Sequence, residues 1–177
     1  MLNSPRTITC TIGLLVMATV LPAADWPRWR GPQVNGISTE TGLLSSWPEE
    51  GPASAWNTDG LGGGYASLVV ADGRVFTIGN HASDLFAYAL DEKDGQLLWK
   101  QKVGTTGRHP ISTPTVDQQR LYVMDPDGQL ICLKVTDGSI LWQRDLAADF
   151  TGRLQSGRGY GESPLIDGDQ LVCTPGG

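Results

Sequence analysis

Only two histidines and three cysteines occur in 177 residues. No Cys-Cys pair and no Cys-x-x-Cys-His run occurs, so c-type haem attachment is excluded. Basic clusters are missing as well. With 13 Lys and Arg against 19 Asp and Glu, the formal charge is −6, which argues against nucleic acid or an anionic lipid surface as partner. No apolar run reaches the roughly 20 residues needed to span a bilayer, and runs of the strong helix formers Lys and Glu are sparse. What is present in their place is Gly 23, Pro 11 and Trp 6, a composition of short strands joined by tight turns.

The longest apolar stretch, Thr7 to Val20, follows Arg6 and gives way to Ala23 and Ala24 before Asp25. That layout predicts a secretory signal peptide over residues 1–24 and an exported, periplasmic or extracellular protein. Pro22 is unfavourable for a cut after Ala24, which leaves the exact bond open. Cys10 lacks the small residues of a lipoprotein signal before it. Beyond the leader, Cys132 and Cys173 lie in strand-like apolar runs, where a buried, unpaired thiol is expected.

Internal periodicity is the strongest signal. Trp56, Trp99 and Trp142 fall at equal intervals of 43 residues. Asp94-Gly95-Gln96-Leu97-Leu98-Trp99 matches Asp137-Gly138-Ser139-Ile140-Leu141-Trp142. A second element recurs upstream, beginning at Ser67, Thr113 and Ser163, with Val70, Val116 and Ile166 three residues on. Each repeat reads as four short strands; in the first they are 67–70, 74–78, 85–90 and 96–100. Asp72-Gly73 and Asp94-Gly95 supply the turns between them, as do Asp127-Gly128 and Asp137-Gly138 in the second repeat. Gln118-Gln119 replaces the first pair there and predicts a looser hairpin.

Four antiparallel strands at this period predict a blade of a β-propeller. The fold expected is all-β, a partial β-propeller of about three four-stranded antiparallel blades over residues 65–177. The last blade is incomplete and the ring is not closed, as expected of a truncated gene product. The tryptophans are expected to end the outer strands and wedge between blades. Residues 25–64 form an N-terminal segment before the blades, in which 44–57 are expected to supply a strand ending at Trp56 that pairs with a last blade and locks the ring.

Ala89-Leu90-Asp91-Glu92-Lys93-Asp94-Gly95-Gln96-Leu97-Leu98-Trp99 resembles the signature A-x-D-x-x-T-G-x-x-x-W of pyrroloquinoline-quinone (PQQ)-type propeller repeats, with Asp94 in the Thr place. The run from Cys132 to Trp142 is a weaker copy, with Cys132 for Ala and Lys134 for Asp. The start, Asp25-Trp26-Pro27-Arg28-Trp29-Arg30-Gly31-Pro32, together with Gly159-Tyr160-Gly161-Glu162-Ser163-Pro164, resembles secreted PQQ-like propeller proteins of planctomycete-type bacteria. The resemblance implies rings of seven or eight blades.

It also raises quinone chemistry, since the related alcohol and sugar dehydrogenases hold PQQ over a calcium ion. PQQ with calcium is implied by that kinship alone, and many alcohol-oxidising members carry the adjacent cysteines absent here. The favoured expectation is a non-catalytic scaffold that binds proteins or cell-envelope components; the alternative is a fragment of a PQQ-dependent alcohol or sugar dehydrogenase.

Structural roles are expected for Trp56, Trp99, Trp142, Asp91, Gly95 and Gly138, because they serve the repeat itself. His81 and His109 stand alone in the sequence and carry no catalytic assignment. The connections between repeats lengthen along the chain, and the longest carries Arg153, Arg158, Tyr160 and Glu162, the candidates for a binding loop.

Overall fold

The computed structural model describes residues 24–154 and 157–176. The predicted leader, with its apolar run and Cys10, lies outside the described residues except for Ala24.

Two complete four-stranded antiparallel sheets follow one another along the chain. The first has the order β1 (Val69–Ala71), β2 (Arg74–His81), β3 (Asp84–Asp91) and β4 (Leu97–Thr105). The second has the order β5 (Thr115–Asp117), β6 (Arg120–Met124), β7 (Gln129–Lys134) and β8 (Ile140–Asp145). A short helix α1 (Leu146–Phe150) leads towards a third unit, of which β9 (Leu165–Asp167) and β10 (Gln170–Val172) are present. The chain is thus an all-β partial propeller of two whole blades and the inner hairpin of a third. The helix was not anticipated. Its local cause is Asp145, whose carboxylate accepts the Ala148 N–H at 3.0 Å and caps the first turn.

The inner hairpins correct one expectation. Ala71 pairs with Arg74 across Asp72 (φ 52°) and Gly73 (φ 69°), and Asp117 pairs with Arg120 across Gln118 (φ 52°) and Gln119. Loop length and register are the same, so the Gln-Gln turn is no looser. Neighbouring chain clamps both turns alike: Glu92 N donates to Gly73 O and Val135 N to Gln119 O, each at 3.1 Å. Tertiary hydrogen bonding here overrides turn propensity.

A second correction concerns the outer strands. Trp99 and Trp142 stand third from the start of β4 and β8, not at their ends. The register shifts just before the indole in both blades, between Ala89 and Leu90 in one and between Cys132 and Leu133 in the other. Leu98 and Leu141 are the extra residues, and this bulge aims the tryptophan onto the blade face. Pairing then continues to Thr105 in the first blade.

Across each blade, one row of side chains repeats in space. Phe76, Ala89 and Trp99 are cross-strand neighbours, and Tyr122, Cys132 and Trp142 are theirs in the next blade. The ring centroids lie 5.9 Å apart at 44° for Phe76–Trp99 and 6.0 Å apart at 49° for Tyr122–Trp142. Between the blades lies the main core, where Phe76, Ile78, Ala87 and Ala89 meet Leu121, Val123, Ile131 and Leu133.

The indoles lock successive units. Trp56 Nε1 donates to Glu92 O at 2.8 Å, and Trp99 Nε1 to Val135 O at 2.9 Å, each 36 residues further along. Both indoles lie flat on a left-handed glycine: a Cβ on Gly95 (φ 72°) would fall 2.4 Å from the Trp56 ring, and one on Gly138 (φ 71°) 2.6 Å from the Trp99 ring. Trp99 is 9% exposed, whereas Trp142 is 38% exposed.

Among the described residues ahead of β1 there is no strand, only isolated bridges from Trp26 to Val70 and from Gly63 to Asn80. Residues 44–57 have no sheet partner among the described residues, so the expected strand there is not seen, and Trp56 is fixed by the Glu92 carbonyl. Residues 26–28 instead cross the three innermost strands. Trp26 exchanges two backbone hydrogen bonds with Val70, Val116 N donates to Pro27 O at 2.7 Å, and Arg28 Nη1 donates to Ile166 O at 2.9 Å. One strap residue therefore meets one blade, each time at the aligned position of its inner strand.

Candidate binding mouth

The starts of the inner strands are coupled by hydroxyls at the repeat positions. Ser67 N donates to Thr113 Oγ1 at 3.2 Å, Thr113 N to Ser163 Oγ at 3.0 Å, and Thr115 Oγ1 to Pro164 O at 2.6 Å. A short side chain with an acceptor oxygen at each position lets the inner strands approach closely without orphaning the N–H groups. Above this row the connections before β1, β5 and β9 converge and leave a hollow.

The outer part of the hollow, about 660 Å³, lies between Tyr65, Arg108, His109 and Arg158. A further 460 Å³ shares Tyr65 and Ile111 with it and reaches Trp29, Thr113, Glu162 and Ser163. Tyr65 meets His109 edge to face at 5.9 Å, while His109 Nδ1 lies 3.0 Å from Asn80 Oδ1. Arg108 forms an ion pair with Asp127, in the β6–β7 turn, and its Nε donates to Gly157 O at 3.3 Å. The mouth thus presents two exposed aromatic rings, with Trp29 56% and Tyr65 76% exposed.

Three of the four loop candidates, Arg153, Tyr160 and Glu162, meet at one small cleft, and Arg158 stands apart from them. Arg158 lines the outer hollow. Glu162 lines the inner one, and one of its oxygens accepts the Thr174 N–H. Arg153 is exposed beside a separate small cleft that Glu162 also borders. Tyr160 is buried at 8% exposure, packs with Met124, Leu130 and Leu146, lies against Gly128 and donates to Pro175 O at 2.7 Å. It is a core piece of the second blade. Sequence reasoning did not single out Trp29 and Tyr65, since neither obeys the repeat; the lack of a periodic counterpart was the available signal.

Asp91 closes its turn by accepting the Lys93 N–H at 2.8 Å. At the signature's Thr place, Asp94 and Asp137 accept the N–H two residues on, each at 2.9 Å. The hydroxyl and N–H of Ser139, with Lys134 nearby, hold the Asp137 carboxyl down at about 2. Asp125 is different: burial pushes its carboxyl above the usual range although it accepts from Asp127 N and Gln129 N. Its residue is 2% exposed, and it supports the β6–β7 turn from beneath. His81 lies outside the hollow, its Nε2 3.1 Å from Gly60 O. Cys132 and Cys173 are free thiols, both raised to about 11 by burial.

A calcium ion under a quinone requires six to eight oxygen ligands. Among the described residues no three His, Cys, Asp or Glu side chains come together for a metal, and Glu162, the one acid of the inner hollow, is already turned to Thr174 N. No described helix is long and apolar enough to cross a membrane.

The family described as outer membrane protein assembly factor BamB matches residues 34–177. The assembly factor BamB of Yersinia pestis is 35% identical over 79 residues, which are 44% of this chain and 18% of that protein. The β-alanine-activating enzyme of Drosophila melanogaster is 31% identical over 87 residues, 47% of this chain and 8% of that protein. The chain therefore spans between 8% and 23% of the length of the curated relatives it matches.

Among solved structures, the quinohemoprotein alcohol dehydrogenase of Comamonas testosteroni superposes with a TM-score of 0.60 at 19% identity, over 83% of this chain and 22% of that one. BamB from Moraxella catarrhalis gives 0.52 at 19% identity, over 67% and 36%. These likenesses are of fold, and a shared fold hosts different functions. With the family match running over all but the first 33 residues and the blades interlocking as PQQ-type repeats do in sequence, the chain belongs to the BamB-like family of PQQ-type β-propeller repeat proteins.

Proposed function

We propose that this chain is the binding part of an exported, non-catalytic propeller scaffold that engages proteins or components of the cell envelope. The observation that carries this reading is the mouth itself. Three connections of unequal length, mounted on hydrogen-bonded blades, hold exposed Trp29 and Tyr65 over a hollow whose acids are engaged in turns and backbone contacts. Rigid scaffolding under variable loops is the usual arrangement of a recognition surface. Family membership supports it further, because the relatives are named as factors of outer-membrane protein assembly.

The test is twofold. The protein is exported in a Gram-negative host with a photo-crosslinker at Tyr65 or at the exposed Gly107, and the purified chain is assayed with PQQ, calcium and an electron-accepting dye. Defined envelope-protein adducts that depend on the mouth position are expected, with no dye reduction by alcohols or sugars. Dye-linked oxidation would overturn the reading in favour of a quinoprotein dehydrogenase.

A further inference from the structure

The strap and the mouth together define more than a generic surface. Residues 26–28 run across the inner edges of β1, β5 and β9, and Trp29, the next residue, stands at that end of the inner hollow. The Trp29 indole thus lines the inner part of this cup, and Tyr65 is shared between its inner and outer parts.

The chemistry of its free groups is specific. The Trp29 indole N–H and the Tyr65 hydroxyl have no hydrogen-bond partner among the described residues. Thr113 and Ser163 each accept one backbone N–H through their hydroxyl oxygen and retain a proton to donate. Glu162 uses one oxygen on Thr174 N and keeps the other. Donors and acceptors are thus mixed around two aromatic faces. Among the described residues no Lys or Arg lines the inner part beside Trp29; Arg108 and Arg158 stand at the outer part, where Arg108 is matched by Asp127 and the Gly157 carbonyl. A site built for an anion would leave its guanidinium free; a site for a purely apolar ligand would not ring itself with hydroxyls. Sugars have an apolar C–H face that lies on an aromatic ring and an edge of hydroxyls that both donate and accept. A space of several hundred cubic ångströms fits the size of small-ligand sites.

We infer that the cup between Trp29 and Tyr65 binds a neutral saccharide, a chain end entering from the Arg108–Arg158 side and stopping at the strap. This deepens the proposed scaffold function and rests on it, since it names a glycan as the envelope component held at the mouth.

The full chain is titrated by calorimetry and tryptophan fluorescence with cellotriose, maltotriose and chitotriose, alongside trigalacturonate and a decaproline peptide. At least one neutral trisaccharide is expected to bind and perturb the fluorescence. Trp29→Ala and Tyr65→Ala should each weaken it by about ten-fold or more with the melting curve unchanged, because both side chains are exposed; Trp29→Phe should retain most of the affinity. Preference for trigalacturonate, for decaproline, or for none of the probes overturns the inference, as does sugar binding indifferent to both alanine variants. Loss of sugar binding with crosslinked envelope proteins retained defeats the saccharide alone, whereas dye reduction in the presence of PQQ defeats the scaffold reading alone.

Discussion

At the scale of single residues, the interlock of indole and glycine is the feature on which neighbouring blades depend. Gly73 and Gly138 have nearly the same backbone angle, φ 69° and 71°, but a Cβ on Gly73 would meet nothing within 4 Å while one on Gly138 would meet the Trp99 ring. Gly73→Ala should therefore cost only left-handed strain, about 1–2 kcal/mol. Gly138→Ala should cost about 2 kcal/mol more, because the indole must leave its seat and release the Val135 carbonyl. Urea unfolding of the two variants measures the difference, and equal losses would mean the interlock contributes nothing. The tryptophans make a companion test. Trp99→Phe removes a buried hydrogen bond and should destabilise by about 1–3 kcal/mol, whereas Trp142→Phe, at a site 38% exposed, should stay within about 0.5 kcal/mol.

This scale was also the most legible from sequence. The 43-residue spacing of the tryptophans is the sequence image of a contact made once per blade, and Asp-Gly ahead of Trp99 and of Trp142 marks the turn that the preceding indole covers. Less legible was the direction of the contact. Nothing in the spacing says that Trp56 serves Gly95 and not the turn before it, because that choice follows from how blades stack in space.

At the scale of elements, propensity and tertiary bonding compete, and the turns show which prevails. Gln118 adopts a left-handed angle that its side chain does not favour, yet the hairpin keeps its register because Val135 N binds the turn from outside. The bulges at Leu98 and Leu141 were hidden from sequence for a similar reason: strand ends were placed by apolar runs, while the true ladders continue through Gln101 and Lys102. The β6–β7 turn gives a prediction with a sign. Burial raises the Asp125 carboxyl, so folding disfavours its charged form, and stability is lost as pH rises through the folded value. Asp84, Asp137 and Asp145 are lowered; their contribution is present above about 3.8 and is lost as pH falls toward 2. Asp125→Asn keeps an oxygen to accept the Asp127 and Gln129 N–H groups and carries no charge. The variant should melt higher than the parent at pH 7 and no higher at pH 3. A variant less stable at pH 7 would show that the charge itself is needed there.

At the scale of the whole molecule, the blades are held in two ways that act on different parts. The core and the indole interlock join the first blade to the second along their faces, whereas the strap joins three inner strands from the axis. Only the first is periodic. The strap uses backbone groups of Trp26 and Pro27 and one guanidinium, so no repeat in the sequence could announce it, and the mouth lined by Trp29 stayed hidden with it. Among the described residues the third unit comprises β9 and β10, and Leu165 and Val172 are 38% and 46% exposed. Its order must then depend more on the strap than that of the other two. Arg28→Ala, which removes the Nη1 bond to Ile166 O, should speed amide hydrogen exchange in Leu165–Val172 by roughly five-fold or more, the equivalent of about 1 kcal/mol. Amides of β2 and β3, bonded on both sides within the first blade, should exchange at their former rate. Uniform acceleration through all three units would instead mean that the strap sets global stability, and an unchanged third unit would mean that its hairpin is held by the second blade alone through Leu171 and Cys173.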